Sequence, residues 1–230
     1  MCTVIGKTGN DAIYGFNMDI DPAVWDYAVY AKKDMFYIGI KVGKTVYKVH
    51  GVNSKGQFAV MPYMNGEAER VMHRGGRYQR LDLLVDGYIA GKFDYAELER
   101  ITAEKTLVNI PGASMHGFFA DGEGHMLLAE PGVGVKRYES FAAVTNFPTI
   151  EIPEDTSCVF YGYDRYETAA DMLSHSGDDF TVKDAFEILR ETVQTGQWAT
   201  RVSFVYSKNE NAVYYCTNRD FDNIICHRFI

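Results

Sequence analysis

The sequence lacks the features that would place the protein in a membrane or in the secretory pathway. It contains no apolar run long enough to span a bilayer. The first dozen residues do not form the apolar region of a signal peptide, because Lys7, Asn10 and Asp11 interrupt them. We therefore expect a cytoplasmic protein with no membrane partner.

Cysteines are few, and they are far apart. They are Cys2, Cys158, Cys216 and Cys226. No CxxC pair occurs, which excludes the commonest zinc-binding spacing and favours reduced thiols over a disulfide framework. His116 and His125 fall on neighbouring predicted strands without thiols or carboxylates at ligand spacing, so we expect both to be structural. We predict neither a metal site nor a cofactor.

Basic residues are fewer than acidic residues. Lys and Arg total 23 against 31 Asp and Glu, a formal net charge of −8. This balance argues against a general nucleic-acid surface, which needs a concentrated positive field. Hydrophobic residues at 47% and charged residues at 23% are ordinary for a globular protein. No repeat or linker interrupts residues 1–230, so we expect one domain.

Apolar periodicity predicts strands, then helices, and the same order again. Two apolar runs separated by a turn-rich spacer predict an opening β-hairpin, Cys2–Ile5 with Ala12–Phe16. Helices are predicted from Leu81, from the capping residue Asp94 through about Thr106, near Asp164, and from Thr181. The remaining predicted strands are Ala28–Ala31, Phe36–Val42, Thr45–His50, Phe58–Tyr63, Ser114–Ala120, His125–Glu130, Val135–Tyr138, Phe141–Thr145, Arg201–Ser207 and Ala212–Thr217. This order favours two antiparallel sheets stacked face to face with helices outside, an αββα sandwich.

The first two residues carry the chemistry that most restricts the function. If Met1 is removed, the thiol and the α-amine of Cys2 share one carbon. An α-amine titrates near ~7.7–8.0 and a thiol near ~8.5, so the uncharged amine can take the proton from its own sulfur. Nucleophile and base would then come from one residue, and no His would be needed.

Five segments, in the same order, resemble the choloylglycine hydrolase and penicillin V acylase family of linear amide hydrolases. Met-Cys-Thr at residues 1–3 matches the start of that family, and Gly-Phe-Asn-Met-Asp at 15–19 resembles its Gly-Arg-Asn-Met-Asp segment. Gly-Val-Asn-Ser-Lys-Gly at 51–56 is similar to Gly-Met-Asn-Glu-Lys-Gly, and Val-Thr-Asn-Phe-Pro at 144–148 to Leu-Thr-Asn-Ser-Pro. Asp-Arg-Tyr at 164–166 resembles a Ser-Arg-Phe segment that opens a helix. The resemblance implies an N-terminal nucleophile hydrolase fold.

The resemblance also implies a role for each matched residue. Cys2 would attack an amide carbonyl and form a thioester, and Asp19 would hold the α-ammonium or the thiol in place. Asn146 would donate a side-chain N–H to the developing oxyanion. Tyr63 falls where the penicillin V branch carries Tyr, and it would help to frame the oxyanion site. Arg165 would be a fixed cation near the thiolate.

Two features bear on activity and substrate. Phe16 stands where the family usually has Arg, so one cation expected beside the thiol is absent. Cations cluster after Tyr63, and among them Arg74 and Arg77 are candidate substrate-binding residues for an anionic group on the leaving amine. A plainly solvated surface explains this cluster equally well.

We predict a cysteine amidohydrolase that acts on linear carbon–nitrogen bonds of small-molecule acyl amides, with an apolar acyl group. Two alternatives stay open: a non-catalytic relative that serves as a binding module, which Phe16 favours, and an acyltransferase in which an amine intercepts the thioester. The segment between Pro148 and Arg165 is short where relatives carry a long excursion that joins subunits. The resemblance therefore does not predict the oligomeric state, and a homo-oligomer stays open.

Overall fold

The αββα arrangement predicted from the sequence is confirmed. The computed structural model describes residues 2–64, 76–109, 114–150 and 161–230. The helices are α1 Leu81–Ile89, α2 Tyr95–Glu104, α3 Tyr163–His175 and α4 Val182–Glu191. The strands are β1 Cys2–Thr8, β2 Ala12–Asp19, β3 Tyr27–Lys32, β4 Met35–Val42, β5 Thr45–Asn53, β6 Phe58–Val60, β7 Tyr78–Arg80, β8 Thr106–Val108, β9 Gly117–Ala120, β10 Met126–Glu130, β11 Gly134–Tyr138, β12 Phe141–Val144, β13 Thr200–Ser207, β14 Ala212–Thr217 and β15 Ile225–Arg228.

The first sheet is built around the predicted opening hairpin. It has six strands in the order β12-β1-β2-β13-β14-β15, and every described pairing in it is antiparallel. The chain start lies next to the end of β2, because Cys2 pairs with Met18. Asp19 pairs with Thr200 of β13, beside a register shift between Thr200 and Val202. This end of the sheet therefore collects residues that are distant in sequence.

The second sheet has seven antiparallel strands in the order β11-β10-β9-β6-β5-β4-β3. Strand β5 continues through Asn53, three residues beyond its predicted end at His50. Strand β6 stops at Val60, and an isolated bridge between Tyr63 and Met115 continues the pairing.

Three apolar layers hold the four layers of secondary structure together. Between the sheets lies a core rich in aromatic side chains that includes Tyr14, Phe16, Phe58 and Phe204. A second core packs α1 and α2 on the seven-stranded sheet, and a third packs α3 and α4 on the six-stranded sheet. Large buried side chains supply most of the stabilisation of such layers, at about 25 cal/mol per Å² of apolar surface removed from water.

The helix starts follow the predicted capping chemistry. The Asp94 side chain accepts a hydrogen bond from the Glu97 N–H at 2.9 Å, so it caps α2. Thr181 and Asp184 form the complete capping box predicted for α4. Caps of this kind contribute ~1 kcal/mol each.

Three short strands were missed, and one predicted helix is too long. The sequence predicts α2 through about Thr106, but the chain turns extended at Lys105, and β8 pairs in parallel with β7. Strand β15 at the edge of the first sheet was also missed. Among the described residues, no helix has the length and apolarity needed to cross a bilayer.

Candidate active site

Cys2 begins β1, and its thiol faces the core between the sheets. The residue is 5% exposed. Its main-chain nitrogen donates a hydrogen bond to Asn146 Oδ1 at 2.7 Å. The nitrogen that would become the free α-amine is thus already held by one of the predicted site residues.

Asn146 lies two residues beyond the end of β12 and is fully buried. Its Oδ1 also accepts from Arg165 Nη2 at 2.7 Å, and its Nδ2 donates to the main-chain oxygen of Tyr63 at 2.5 Å. The guanidinium offers only donors, so the amide oxygen must face it and the amide NH₂ must face Tyr63. An amide NH₂ has two hydrogens, which leaves the second one for another acceptor.

Arg165 is the hub of the cluster. It comes in the first turn of α3, and its Nη1 donates to the main-chain oxygen of Cys2 at 2.8 Å and to Thr3 Oγ1 at 2.9 Å. The same nitrogen lies 3.4 Å from Asp19 Oδ2, and the Arg165 side chain is 5% exposed. A buried guanidinium needs this many acceptors to offset its lost hydration.

The local backbone explains how Arg165 reaches the site. Gly162 precedes α3 with φ of 87°, in the left-handed region, and a Cβ there would lie 2.7 Å from Arg165 Nη2. Its main-chain oxygen accepts from Thr145 Oγ1 at 2.8 Å. Only glycine combines this backbone conformation with the space that the guanidinium needs.

Asp19 ends β2 and is buried. Its Oδ1 accepts from Thr200 Oγ1 at 2.6 Å. Burial raises the pKa of the Asp19 carboxyl to about 7, and the Arg165 guanidinium and the Thr200 hydrogen bond oppose this rise. The carboxyl therefore titrates near neutral pH, unlike an ordinary surface Asp.

The Cys2 thiol is not activated by its surroundings alone. Burial raises its pKa most, and the Asp19 carboxylate raises it further. The positive charge at the start of the chain, a hydrogen bond from the Asp19 main chain and the Arg165 cation lower it, and the net effect is a rise. Phe16, where the resemblance expects a cation, is fully buried and packs against His50 in a tilted arrangement, with ring centroids 4.4 Å apart. The thiol consequently needs a base to lose its proton.

Tyr63 joins the site through its backbone. Its main-chain oxygen accepts from Asn146, whereas the residue as a whole is 44% exposed. The structure thus brings together Cys2, Asp19, Asn146 and Arg165, with the carbonyl of Tyr63 closing the cluster.

Of the two predicted substrate-binding cations, the structure describes only Arg77, which lies on the surface. Arg74 lies outside the described residues. Arg77 is exposed, and its guanidinium lies over the Tyr78 ring, 5.0 Å from the centroid. Arg80, further along, forms an ion pair with Asp82 at the start of α1. Substrate binding by Arg74 and Arg77 stays a prediction.

The other polar candidates have structural surroundings. His116 is fully buried with Nδ1 3.0 Å from Glu130 Oε1. His125 is mostly exposed, its Nδ1 donates to Asp121 Oδ2 at 2.8 Å, and its ring stacks on Tyr95. Within the described ranges, no group of three or more acidic, His or Cys side chains has the geometry to hold a metal ion.

Two residues that the sequence did not indicate complete the cluster, Thr200 and Gln194. Because the Arg165 guanidinium can only donate, the Gln194 side-chain amide is assigned with its oxygen toward Arg165, where it accepts from Nε at 3.1 Å and from Nη2 at 3.2 Å. Both residues contact the site only because β13 pairs with β2, a long-range pairing that no local pattern announces.

Comparison with known proteins gives a consistent fold. No protein-family model and no curated protein matches the sequence. Among solved structures, conjugated bile acid hydrolase from Clostridium perfringens matches with a TM-score of 0.69 at 13% identity, covering 98% of this chain and 92% of that chain. Penicillin V acylase from Agrobacterium tumefaciens gives a TM-score of 0.62 at 13% identity, covering 94% and 83%.

A third match is the N-acylethanolamine-hydrolyzing acid amidase ortholog of Caenorhabditis elegans, with a TM-score of 0.52 at 17% identity, covering 90% and 93%. The resemblance found in the five sequence segments is confirmed at the level of the fold. The chain has the N-terminal nucleophile hydrolase fold of these linear amide hydrolases.

Proposed function

We propose that this protein is a cysteine amidohydrolase that cleaves linear carbon–nitrogen bonds through a thioester and without a cofactor. The observation that carries the proposal is the hydrogen bond between the Cys2 nitrogen and Asn146 Oδ1, inside a buried cluster with Arg165 and Asp19. The buried amide holds the Cys2 nitrogen, the guanidinium holds the Cys2 carbonyl oxygen, and the carboxylate lies beside the guanidinium. A strand start with a purely structural role has no need of this arrangement.

The first step forms the acyl-enzyme. After removal of Met1, the Cys2 α-amine takes the thiol proton, and the sulfur attacks the amide carbonyl carbon. The resulting ammonium gives its proton to the leaving nitrogen as the carbon–nitrogen bond breaks. A thioester on Cys2 and a free amine result. The raised pKa of the buried thiol makes this internal base necessary.

The second step returns the enzyme to its starting state. The α-amine takes a proton from water, and the hydroxide oxygen attacks the thioester carbon. The carbon–sulfur bond then breaks, the sulfur recovers a proton, and the carboxylic acid leaves. Proton transfer by one group in both directions follows from microscopic reversibility.

Asn146 supplies the oxyanion donor in both steps. One Nδ2 hydrogen is committed to the Tyr63 carbonyl, which fixes the plane of the amide. The second is free to donate to the negative oxygen that develops on the substrate, and a donor held in place before the reaction costs no reorganisation. Arg165 and Asp19 hold the Asn146 amide and Cys2 in fixed positions relative to each other.

For the substrate, we propose acyl amides with an apolar acyl group. The thiol faces a core lined by Val4, Phe16 and Met18, which suits an apolar chain better than a charged one. Bile acid conjugates, penicillin V and N-acylethanolamines, named for the similar structures, are the first compounds to test.

For the leaving amine, we propose that Arg74 and Arg77 bind an anionic group. Replacing both residues by Ala should then raise KM more for anionic than for neutral amides, and equal effects on the two kinds of amide would reject this role.

The proposal is tested by combining intact-protein mass spectrometry with a panel of such amides. We expect loss of Met1, rapid alkylation of Cys2 and hydrolysis of at least one amide. Retained Met1 with no turnover would support the binding module, which Phe16 favours. Transfer of the acyl group to hydroxylamine or an added amine faster than to water would support the acyltransferase.

A further inference from the structure

Residues 194–200, which lead from α4 into the first residue of β13, hydrogen-bond both charged groups of the site. Thr200 Oγ1 donates to Asp19 Oδ1 at 2.6 Å, and Gln194 accepts twice from Arg165. The two ends of the segment also bind each other: the Gln194 N–H donates to Thr200 Oγ1 at 2.8 Å, and the Thr200 N–H donates to the Gln194 carbonyl at 3.1 Å.

This arrangement is specific because Thr200 and Gln194 each bind a different charged group of the site. The Thr200 hydroxyl has a single hydrogen, and accepting from Gln194 turns that hydrogen toward Asp19. The Gln194 oxygen meets the Nε edge of the guanidinium, whereas Cys2, Thr3 and Asn146 take its Nη edge. Thr200 also sits at the register shift of β13, and such irregularities re-aim side chains near functional sites.

We infer that Thr200 and Gln194 are positioning residues of the proposed reaction, which hold the Asp19 carboxylate and the Arg165 guanidinium in one fixed arrangement around Cys2. The inference rests on the proposed function for its meaning, but its geometry can be tested without substrate. Thr200 sets the proton affinity of Asp19, and Gln194 sets the tilt of the guanidinium. Neither residue touches the reacting atoms.

The titration of Asp19 is the direct readout. The charged and titratable groups that act on this carboxyl include Arg165 from α3, Cys2 from β1 and the α-amine at the start of the chain, while Thr200 from β13 contributes a hydrogen bond. Removing a donor from a carboxylate favours its protonated form, so the carboxyl pKa rises.

The experiment follows the Asp19 side-chain carboxyl by ¹³C NMR, with the signal assigned by its absence in Asp19→Asn. Thr200→Val removes the hydroxyl at constant shape, and Thr200→Ser keeps it. We expect the Asp19 midpoint to rise by about one pH unit in Thr200→Val and by a few tenths at most in Thr200→Ser. The acidic limb of kcat/KM is expected to move with it.

Ser203→Ala is the matched control. Ser203 is a buried hydroxyl on the same strand, and it donates to Asn17 at 2.7 Å rather than to Asp19. Its loss lowers stability without moving the Asp19 midpoint. For Gln194, replacement by Met is expected to lower kcat at least tenfold with KM within about twofold, since the cation is misaligned while the pocket is intact.

Several results overturn the inference. An Asp19 midpoint unchanged in Thr200→Val, or moved equally by Thr200→Ser, does so. If Thr200→Val fails to fold, an unchanged kcat in Gln194→Met does so instead. Failure of the proposed function looks different: the wild type hydrolyses no amide, while the Asp19 midpoint still moves in Thr200→Val.

Discussion

Each of the two sheets contributes a buried carboxyl group that lies beside a basic side chain, and the pKa values of the two carboxyl groups are shifted in opposite directions. Asp19 on β2 lies beside Arg165, and Glu130 on β10 lies beside His116. Burial dominates at Asp19 and raises its pKa to about 7. At Glu130 burial is outweighed by the hydrogen bond and charge of His116 and by hydrogen bonds from the Thr149 and Ile150 N–H groups, so its pKa is lowered.

The difference lies in the balance between burial and the groups that stabilise each negative charge. Glu130 accepts from Thr149 N at 2.7 Å and lies 3.0 Å from His116 Nδ1, which ties the chain that follows Asn146 to the second sheet. Asp19 accepts from Thr200 Oγ1 at 2.6 Å and lies 3.4 Å from Arg165 Nη1, and these groups do not offset its burial. A carboxyl group whose pKa is raised toward neutral pH beside a nucleophile is poised to titrate, as catalytic groups often are.

The largest expected effect comes from removing the proposed nucleophile, which lies in the Asp19 region and not in the Glu130 region. Cys2→Ala removes the sulfur and should lower kcat/KM for any amide substrate by at least about 10³-fold, because the atom that forms the proposed thioester is gone. Cys216→Ala is the control: this buried thiol, whose pKa burial raises to about 11, packs in the layer under α4. Equal activity in both variants would contradict the assignment.

The pH dependence of stability sharpens the comparison next. The Asp19 pKa is higher in the folded chain than its ordinary value of 3.8, so its contribution is fully present below pH 3.8 and is lost as the pH rises through about 7. We therefore compare the unfolding free energies of the wild type and Asp19→Asn by urea denaturation. The wild-type value minus the Asp19→Asn value is expected to fall by a few kcal/mol over this pH interval. A difference independent of pH would refute the raised pKa.

The proposed oxyanion role of Asn146 is tested by the turnover number per folded molecule. Asn146→Ala should lower kcat by roughly 10²–10³-fold, the usual cost of one lost donor. Asn146→Asp is the companion variant, since it keeps the acceptor for the Cys2 nitrogen and removes the N–H. If Asn146→Asp retains wild-type kcat, the amide hydrogen has no part in the reaction.

The smallest effect on activity is expected at the second pair. Glu130→Ala leaves buried donors without acceptors and should cost about 3 kcal/mol of unfolding free energy, measured by chemical denaturation. Turnover per folded molecule should change far less than in Asn146→Ala. Glu104→Ala, at an exposed ion pair with Arg100, should cost under about 0.5 kcal/mol.

Local chemistry made much of the fold and part of the site predictable. The turn-rich spacer predicted the β1–β2 hairpin, and the caps at Asp94 and Thr181 predicted helix starts that the structure contains. Strand β8 was missed because its three residues pair with β7 and have no period of their own. The resemblance identified four residues that the structure brings together, Cys2, Asp19, Asn146 and Arg165. It did not indicate which of them hydrogen-bond to one another.

What the sequence could not supply depends on long-range register. Thr200 and Gln194 reach the site because β13 lies beside β2, and nothing near them in the sequence predicts that neighbour. The double hydrogen bond at Asn146 Oδ1 is likewise a three-dimensional fact, since its donors lie 144 and 19 residues away. The pKa of Asp19 follows from burial, which a sequence position at a strand end does not disclose.

The most direct test of the account is the mass of the chain itself during turnover. Incubated with a slowly hydrolysed acyl amide and quenched in acid, the protein should have the mass of residues 2–230 plus one acyl group, carried on the peptide that begins with Cys2 and removed by hydroxylamine. Acylation of a chain that still carries Met1, or of any other residue, would contradict the claim that one residue supplies both nucleophile and base.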